Sequence, residues 1–331
     1  MILLIGINTV LYSFELLKVQ NSNYSLTTEE KLFETYILKI KPHYKKVPLR
    51  FFEGEDNISI AYKIFKVNNS KGSIIIVSGR TESMLKYQEL IYDLSENNYS
   101  VFIFDHRGQG LSGRTQDVDS QLGDVIHFEN YVEDMKTFVN TIVKKESDKQ
   151  LFILSHSMGA TISSLYLQKY HDDFKAAVLS SPMHEVKMGF ISPLICGFLQ
   201  LFKKDSIEYM LGTSRYDEPY FWNTYKLFTR STRRFALVVE GYESNVSSKI
   251  GGVSHRWLAQ ACEFSSKSVE NAKQIKTPYL LLQAQERFCE ASYEFCTAYT
   301  LENSEHEVFI ERDGIRNRAL SKILDYYEKS N

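Results

Sequence analysis

The sequence predicts an α/β protein with a mostly parallel central sheet flanked by helices. Short apolar runs alternate along the chain with amphipathic helical patterns, as expected when connecting helices cover both faces of a parallel sheet. The runs at residues 73–77 and 100–104 are continuously apolar after an initial serine, which indicates strands that are buried on both faces. The 331 residues, 43% of them hydrophobic, suffice for one large domain with an insertion.

The part of the chain before residue 145 contains the first predicted strands and helices. A Thr-x-x-Glu sequence at residues 27–30 matches a capping box and predicts a helix that ends near Lys39, before Pro42 and Pro48. An antiparallel pair of strands follows, and then strands that alternate with helices. These predicted elements are strands 49–52, 58–65, 73–77 and 100–104 and helices 84–96 and 128–144.

The next apolar run ends at a turn that presents a serine. Ser157 is flanked by the small residues Ser155, Gly159 and Ala160, and a helical pattern begins directly after it. A sharp strand-to-helix turn needs small neighbours, because larger side chains would collide with the adjoining strand and helix. The pattern predicts a nucleophile elbow, with Ser155 where the G-x-S-x-G pattern has its first glycine. An ordinary turn is the alternative.

The remaining catalytic groups are expected after the serine, since a serine hydroxyl needs a base and the base needs an orienting carboxylate. His306 lies between the last predicted strand and the final helix, where the base should lie. Glu286 follows the preceding strand and is the preferred acid, with Glu290 as the alternative because this loop contains no Asp. The backbone N–H groups of Met158 and Arg80 are the predicted oxyanion donors.

The alternation of strands and helices stops in the region 184–261. The region contains ten Lys and Arg residues but only seven Asp and Glu residues, together with apolar helical stretches and a dense group of aromatic residues. We interpret this region as an inserted helical cap between core segments 47–183 and 262–331, with a purely structural subdomain as the alternative. Residues 1–46 are predicted to form an N-terminal helical segment. The core is completed by predicted strands 279–283 and 299–302 and helices 291–296 and 315–327.

Composition disfavours some classes of function. The formal net charge of −2 provides no basic surface for nucleic acid. The four cysteines, Cys196, Cys262, Cys289 and Cys296, form no CxxC pair and no metal-binding spacing with His. We therefore expect free buried thiols in a cytoplasmic protein, with no metal and no cofactor.

The N-terminal residues 1–17 are rich in Ile and Leu but lack a basic leading segment, which argues against a secretory signal. We predict a packed helix or a loosely ordered leader there, with an anchor on the surface of the inner membrane as the alternative.

Several stretches from about residue 47 to the end form a recognisable set. They are Ser-Gly-Arg-Thr-Glu-Ser at 78–83, Asp-His-Arg-Gly-Gln-Gly-Leu-Ser-Gly at 105–113, Ser-His-Ser-Met-Gly at 155–159, Ser-Pro-Met at 181–183, Gly-Gly-Val-Ser-His-Arg-Trp at 251–257, Leu-Leu-Leu-Gln-Ala at 280–284 and His-Glu at 306–307. With this set the sequence resembles the α/β-hydrolase superfamily, in particular the branch of monoacylglycerol lipases and bacterial lysophospholipases of the PldB type. It departs from that branch at Ser155 and Ala160 and in a short acid loop that offers only glutamates.

The resemblance implies an α/β-hydrolase fold with an inserted cap and a serine hydrolase activity. The implied reaction is hydrolysis of the single acyl ester of a lysophospholipid to a fatty acid and a glycerophosphodiester. A monoacylglycerol lipase or general carboxylesterase is the first alternative, and an amide hydrolase or a non-catalytic lipid-binding protein are the others. The aromatic, basic cap suits an acyl chain and a phosphate, because each buried CH₂ contributes about 0.8 kcal/mol. The oligomeric state stays open.

Overall fold

The computed structural model describes residues 23–186, 192–283, 286–292 and 294–330, without the side chains of Tyr220, Glu286 and Arg287. The predictions for residues 1–17 therefore lie outside the described residues.

Among the described residues, eight strands form one central sheet. In chain order these are β1 Arg50–Glu53, β2 Ser59–Phe65, β3 Gly72–Val77, β4 Tyr99–Phe104, β5 Leu151–His156, β6 Ala176–Ser180, β7 Tyr279–Leu282 and β8 Cys296–Tyr299. Their spatial order is β1-β2-β4-β3-β5-β6-β7-β8, with β1 and β2 antiparallel to their neighbours and the other strands parallel. The predicted α/β fold is confirmed, and β3 to β6 are buried throughout.

Helices cover both faces of this sheet. The main ones are Gln88–Glu96, Glu129–Phe138, Met158–Lys169, Ser192–Phe202, Glu218–Thr224, Thr232–Glu243, His255–Glu270, Glu286–Ala291 and Asp313–Ser330. We call Met158–Lys169 the elbow helix, and Ser192–Phe202, which lies in the region predicted to form a cap, the cap helix. Met135 and Phe138 pack on one face of the sheet, whereas Leu90, Ile91 and Leu320 pack on the other.

The N-terminal helix differs from its prediction at both ends. The hydroxyl of Thr27 lies 2.6 Å from Glu89 Oε1 and 2.9 Å from Asp93 Oδ2, so it binds buried carboxylates instead of capping a helix. Helical structure begins at Leu32 and continues through a π-helical turn into the segment Lys41–Lys45. Pro42 does not end the helix, which continues past it directly after the π-helical turn Tyr36–Ile40.

The predicted helix 291–296 and strand 299–302 are wrong in position. The helix is Glu286–Ala291 and the strand is β8, each a few residues earlier. The strand β8 lies at the edge of the sheet with partly exposed residues, so it lacks the continuous apolar run that marks the buried strands.

The prediction of free thiols is also wrong, because the four cysteines form two disulfides. Cys289 pairs with Cys296, and Cys196 of the cap helix pairs with Cys262 of the helix His255–Glu270. The second pair joins residues 66 positions apart, with Cα atoms separated by 5.8 Å. Sequence spacing contains no signal for such a pair, because the chain fold brings the two helices together.

The region predicted to form a cap contributes helices between β6 and β7, and its predicted boundary at residue 261 falls inside the helix His255–Glu270. The cap helix buries Ser192 and Leu199 but exposes a set of large apolar side chains: Leu194, Phe198, Leu201 and Phe202. None of the helices in the described ranges is both long enough and apolar enough to cross a membrane.

Candidate active site

The turn between β5 and the elbow helix holds Ser157 in a strained conformation. Ser157 has φ 53° and ψ −119°, a combination that residues with a side chain rarely adopt. A Cβ atom on Gly159 would lie 2.2 Å from the carbonyl oxygen of Val77 and 2.3 Å from that of Ser78. Only glycine fits at this position, so the close approach of β3 and the elbow helix explains the small-residue pattern.

Both departures from the usual elbow pattern are accommodated. Ser155 is fully buried, and its hydroxyl donates a 2.8 Å hydrogen bond to the carbonyl oxygen of Val178 on β6. Ala160 is fully buried in the core on the elbow helix. The serine in place of glycine therefore has a satisfied hydroxyl and leaves the turn intact.

The structure brings the predicted nucleophile and the predicted base together. His306 Nε2 lies 3.0 Å from Ser157 Oγ, within hydrogen-bonding distance. The carbonyl oxygen of His306 accepts hydrogen bonds from His156 Nε2 at 3.2 Å, Ser181 Oγ at 3.1 Å and the backbone N–H of Val308 at 3.2 Å. These bonds hold the backbone of the imidazole-bearing loop against the end of the sheet.

The predicted acids are not joined to this pair by a described contact. Glu286 is the first residue of its helix, and its side chain lies outside the described part of the chain. Glu290 is exposed on the same helix. Among the side chains that the structure describes, no carboxylate is hydrogen-bonded to Nδ1 of His306.

A buried cluster of charged residues lies directly behind His306. The carboxylate of Glu82 accepts hydrogen bonds from His156 Nδ1 at 2.9 Å, from Lys86 Nζ at 2.7 Å and from the hydroxyl of Tyr87. The Lys86 ammonium also binds Glu307, the neighbour of His306. Glu82, Lys86 and His156 are each less than one-tenth exposed. We refer to Glu82, Lys86, His156 and Glu307 as the buried charge cluster.

Charges in this cluster balance when His156 is protonated. Burial disfavours the imidazolium, but the carboxylates of Glu307 and Glu82 raise the pKa of His156 above its ordinary value. Burial would raise the pKa of Glu82, yet Lys86 and His156 hold that pKa well below its usual range. Two carboxylates, one ammonium and one imidazolium then sum to zero net charge.

The buried charge cluster also sets the charge of His306. The pKa of His306 is lowered to about 4, because burial disfavours the charged form and the nearby positive charge of His156 opposes a second one. The centroids of the two imidazole rings are 4.9 Å apart. His306 is therefore neutral near pH 7, the form in which it can accept a proton.

Glu82, His156 and Glu307 also have the geometry of a metal-binding group, since their donor atoms lie within 4.8 Å of one another. The Lys86 ammonium already binds both carboxylates, so the protein itself supplies the counter-charge in that space. We therefore interpret the buried charge cluster as an ion-pair network that supports His306.

Sequence reasoning missed this cluster. The signals were present as two charged residues, Glu82 and Lys86, beside a buried strand, and as His156 inside an otherwise small and apolar elbow. Which of them meet is decided by the packing of three loops that are far apart in the chain.

The loop after β3 carries Arg80, one of the two predicted oxyanion donors. The side-chain amide of Gln109 donates to the carbonyl oxygens of Gly79 at 2.7 Å and Glu82 at 2.9 Å, and it accepts from the N–H of Thr81 at 3.3 Å. Glu82 accepts from the N–H of Gly79 in addition. The loop is thus held rigidly on both sides of the Arg80 N–H, as an oxyanion donor requires.

Met158, the second predicted donor, is the first residue of the elbow helix. The N–H groups of a first helical turn have no acceptor within the helix, and they form the positive end of its dipole. An oxyanion near Ser157 would therefore meet a donor that is not already used in the helix.

A serine on a strained elbow at the carboxyl end of a mostly parallel sheet, hydrogen-bonded to an imidazole, defines a serine hydrolase of the α/β-hydrolase class. The chain belongs to the serine aminopeptidase S33 family, whose model matches residues 68–313.

Individual relatives include lipid hydrolases. Lysophospholipase L2 of Escherichia coli K12 is 31% identical over 300 residues, which cover 85% of this chain and 87% of that protein. Mouse monoglyceride lipase is 34% identical over 122 residues, 37% of this chain and 38% of that protein. Among solved structures, a soluble variant of monoglyceride lipase from Saccharomyces cerevisiae in complex with a substrate analog has a TM-score of 0.65 at 20% identity, and the match covers 86% of this chain and 96% of that one. The predicted family resemblance is confirmed.

Proposed function

We propose that this protein is a serine ester hydrolase that removes the acyl chain of lysophospholipids, with a fatty acid and a glycerophosphodiester as products. The observation that carries the proposal is the 3.0 Å contact between His306 Nε2 and Ser157 Oγ on a strained elbow. The identity of 31% to lysophospholipase L2 across most of both chains supports the substrate class. Monoacylglycerol is the second candidate substrate, because mouse monoglyceride lipase matches part of the chain.

In the proposed reaction, Ser157 Oγ attacks the ester carbonyl while His306 Nε2 accepts the hydroxyl proton. The N–H groups of Met158 and Arg80 donate to the oxyanion of the tetrahedral intermediate. His306 then gives the proton to the departing glycerol oxygen, which leaves an acyl group on Ser157. Water attacks this acyl-enzyme with His306 again as the base. We assign the orienting acid to Glu286, with Glu290 as the alternative.

The exposed apolar side chains of the cap helix support contact with a lipid surface. Phe198, Leu201 and Phe202 are each more than half exposed, and Lys203 and Lys204 follow them directly. Apolar side chains next to basic ones are the pattern of helices that lie in the interface of an anionic bilayer. We propose that the cap helix makes this peripheral contact and that the acyl chain enters beneath it.

The compartment in which the protein contacts a membrane can be tested directly. The sequence-based proposal is a cytoplasmic protein at the inner membrane, whereas the disulfides Cys196–Cys262 and Cys289–Cys296 favour an oxidising compartment. Alkylation of the protein immediately after cell lysis, followed by mass spectrometry, measures the thiol state. Four alkylated cysteines support the cytoplasm, and four unmodified ones support an oxidising compartment.

Fatty-acid release from a small set of substrates tests the proposed function. The set consists of lysophosphatidylethanolamine, lysophosphatidylcholine, a monoacylglycerol and an aminoacyl amide, with Ser157→Ala as the blank. We expect release from the lysophospholipids that the blank lacks. Release from the amide alone would assign an amide hydrolase instead, and lipid binding with no release from any substrate would assign a binding protein.

A further inference from the structure

The guanidinium of Arg80 differs from the other described guanidinium groups in its polar contacts. It has no hydrogen-bond or ion-pair partner among the residues that the structure describes. The other arginines with described side chains each contact a carboxylate or a backbone carbonyl: Arg50, Arg107, Arg114, Arg215, Arg230, Arg233, Arg234, Arg256, Arg312, Arg316 and Arg318. The five N–H donors of the Arg80 guanidinium, in contrast, have no acceptor among the described residues.

The side chain of Arg80 is nevertheless held in place. Its guanidinium carbon lies 5.6 Å from the centroid of the Trp257 indole ring, in cation–π geometry. Trp257 is only 4% exposed, and its indole N–H donates a 3.2 Å hydrogen bond to the hydroxyl of Tyr131. The aromatic platform is therefore fixed, and the guanidinium that rests on it keeps its N–H groups free for a ligand.

Among the described residues, no carboxylate forms an ion pair with this guanidinium. Glu82 is two residues away, but its carboxylate is already bound by Lys86, His156 and the Tyr87 hydroxyl. Arg80 is an exposed residue, so a ligand can reach the guanidinium from solvent. An anionic ligand at this position would form an ion pair with the guanidinium.

The position of Arg80 in the chain places its side chain near the ester group on which Ser157 is proposed to act. Its own backbone N–H is the proposed oxyanion donor, so the side chain begins beside the carbonyl that Ser157 attacks. In a lysophospholipid, the glycerol carbons separate that carbonyl from a phosphodiester, a span comparable with the length of an arginine side chain.

We propose that the guanidinium of Arg80 binds the phosphodiester of a lysophospholipid and thereby determines the preference for charged over neutral monoacyl lipids. This inference rests on the proposed function and names the group that selects its substrate. Guanidinium groups bind phosphate through paired N–H donors, and the flat face remains stacked on an aromatic ring. Lysine would retain the charge but lose both the paired geometry and most of the stacking.

The test compares kcat/KM for lysophosphatidylethanolamine and for monoacylglycerol with the same acyl chain, below their micelle concentrations. The variants are Arg80→Gln and Arg80→Lys, with Arg318→Gln on the C-terminal helix as the matched control. We expect Arg80→Gln to lower the lysophospholipid-to-monoacylglycerol ratio of kcat/KM by about 10–100-fold, mostly through KM. Arg80→Lys should give an intermediate ratio, and Arg318→Gln should keep the wild-type ratio.

The lysophospholipid-to-monoacylglycerol ratio of kcat/KM separates loss of phosphate binding from displacement of the oxyanion loop. A displaced Arg80 N–H lowers turnover of both substrates equally, so it leaves this ratio unchanged. An unchanged ratio in Arg80→Gln would overturn the inference, whether or not overall activity falls.

A wild-type protein that hydrolyses neither lipid would instead refute the proposed function. In that case, titration with a non-hydrolysable ether lysophospholipid and with the matching neutral alkylglycerol decides the point. Tighter binding of the charged ether lipid that Arg80→Gln abolishes supports the phosphate site, and equal binding of the two lipids by wild type and variant excludes it.

Discussion

His156 and Glu82 form a buried 2.9 Å hydrogen bond that connects the three loops of the active site. Glu82 also accepts from the N–H of Gly79 in the proposed oxyanion loop, and His156 also donates to the carbonyl oxygen of His306. His156 directly precedes Ser157 in the chain. One ion-paired contact thus links the positions of the nucleophile, the base and the oxyanion donor.

Activity should extend to unusually low pH. His306 must be neutral to accept a proton, and its pKa is lowered to about 4, so it stays neutral until the pH falls to that value. We expect kcat/KM to fall only as the pH drops through about 4. The measurement is the pH profile of ester hydrolysis, with the folded fraction checked by circular dichroism at each pH. A fall that already begins between pH 6 and 7 would contradict this prediction and would indicate that a carboxylate, such as that of the proposed acid Glu286, raises the pKa of His306.

A second arm of this measurement isolates the contribution of His156. His156→Gln removes the positive charge that opposes protonation of His306, so the acid limb should move to higher pH. His171→Gln, at an exposed histidine after the elbow helix, is the matched control and should leave the limb in place.

The buried charge cluster should be costly to break. Glu82→Gln keeps the shape of the side chain but removes the buried negative charge that pairs with Lys86 and His156. We expect a loss of about 3–5 kcal/mol in the free energy of unfolding, measured by urea denaturation.

The matched control is Glu129→Gln, which removes an exposed ion pair with Lys169 and should cost about 1 kcal/mol or less. Similar losses for the two variants would mean that the buried charge cluster contributes no more than a surface pair.

The choice of nucleophile can be tested against a neighbouring serine. Ser157→Ala should abolish labelling by a fluorophosphonate probe and lower kcat by at least about 10³-fold, because no other group can form the acyl-enzyme. Ser155→Ala should keep the label, since that hydroxyl is buried and binds the carbonyl oxygen of Val178. We expect Ser155→Ala to lower the free energy of unfolding by about 1 kcal/mol. Labelling of Ser157→Ala would refute the assignment.

The acid is identified by comparison of two glutamates on one helix. We expect Glu286→Gln to lower kcat by about 10²–10⁴-fold, as loss of the orienting carboxylate does in other serine hydrolases. Glu290→Gln should retain nearly full activity, because Glu290 is exposed. The reverse pattern would transfer the role to Glu290. Full activity in both variants, and in the double variant, would show that His306 works without a carboxylate from this helix.

The sequence alone determined the sheet, the elbow and the place of His306. The continuous apolar runs of β3 to β6 and the small residues around Ser157 are local patterns, and each follows directly from burial or from steric limits at one turn. The position of His306 followed from chain order alone. Errors occurred where the local signal is weak, as at the edge strand β8, or where a side chain has a distant partner, as at Thr27.

Only the tertiary structure decided which distant groups meet. Cys196 and Cys262 pair across 66 residues, and Glu82 lies 74 residues before His156. No periodicity or spacing encodes such contacts, because they depend on how helices and loops pack after the sheet has formed. The guanidinium of Arg80 belongs to the same group, since its lack of an ion-pair partner among the described residues becomes visible only when the surroundings of the side chain are known.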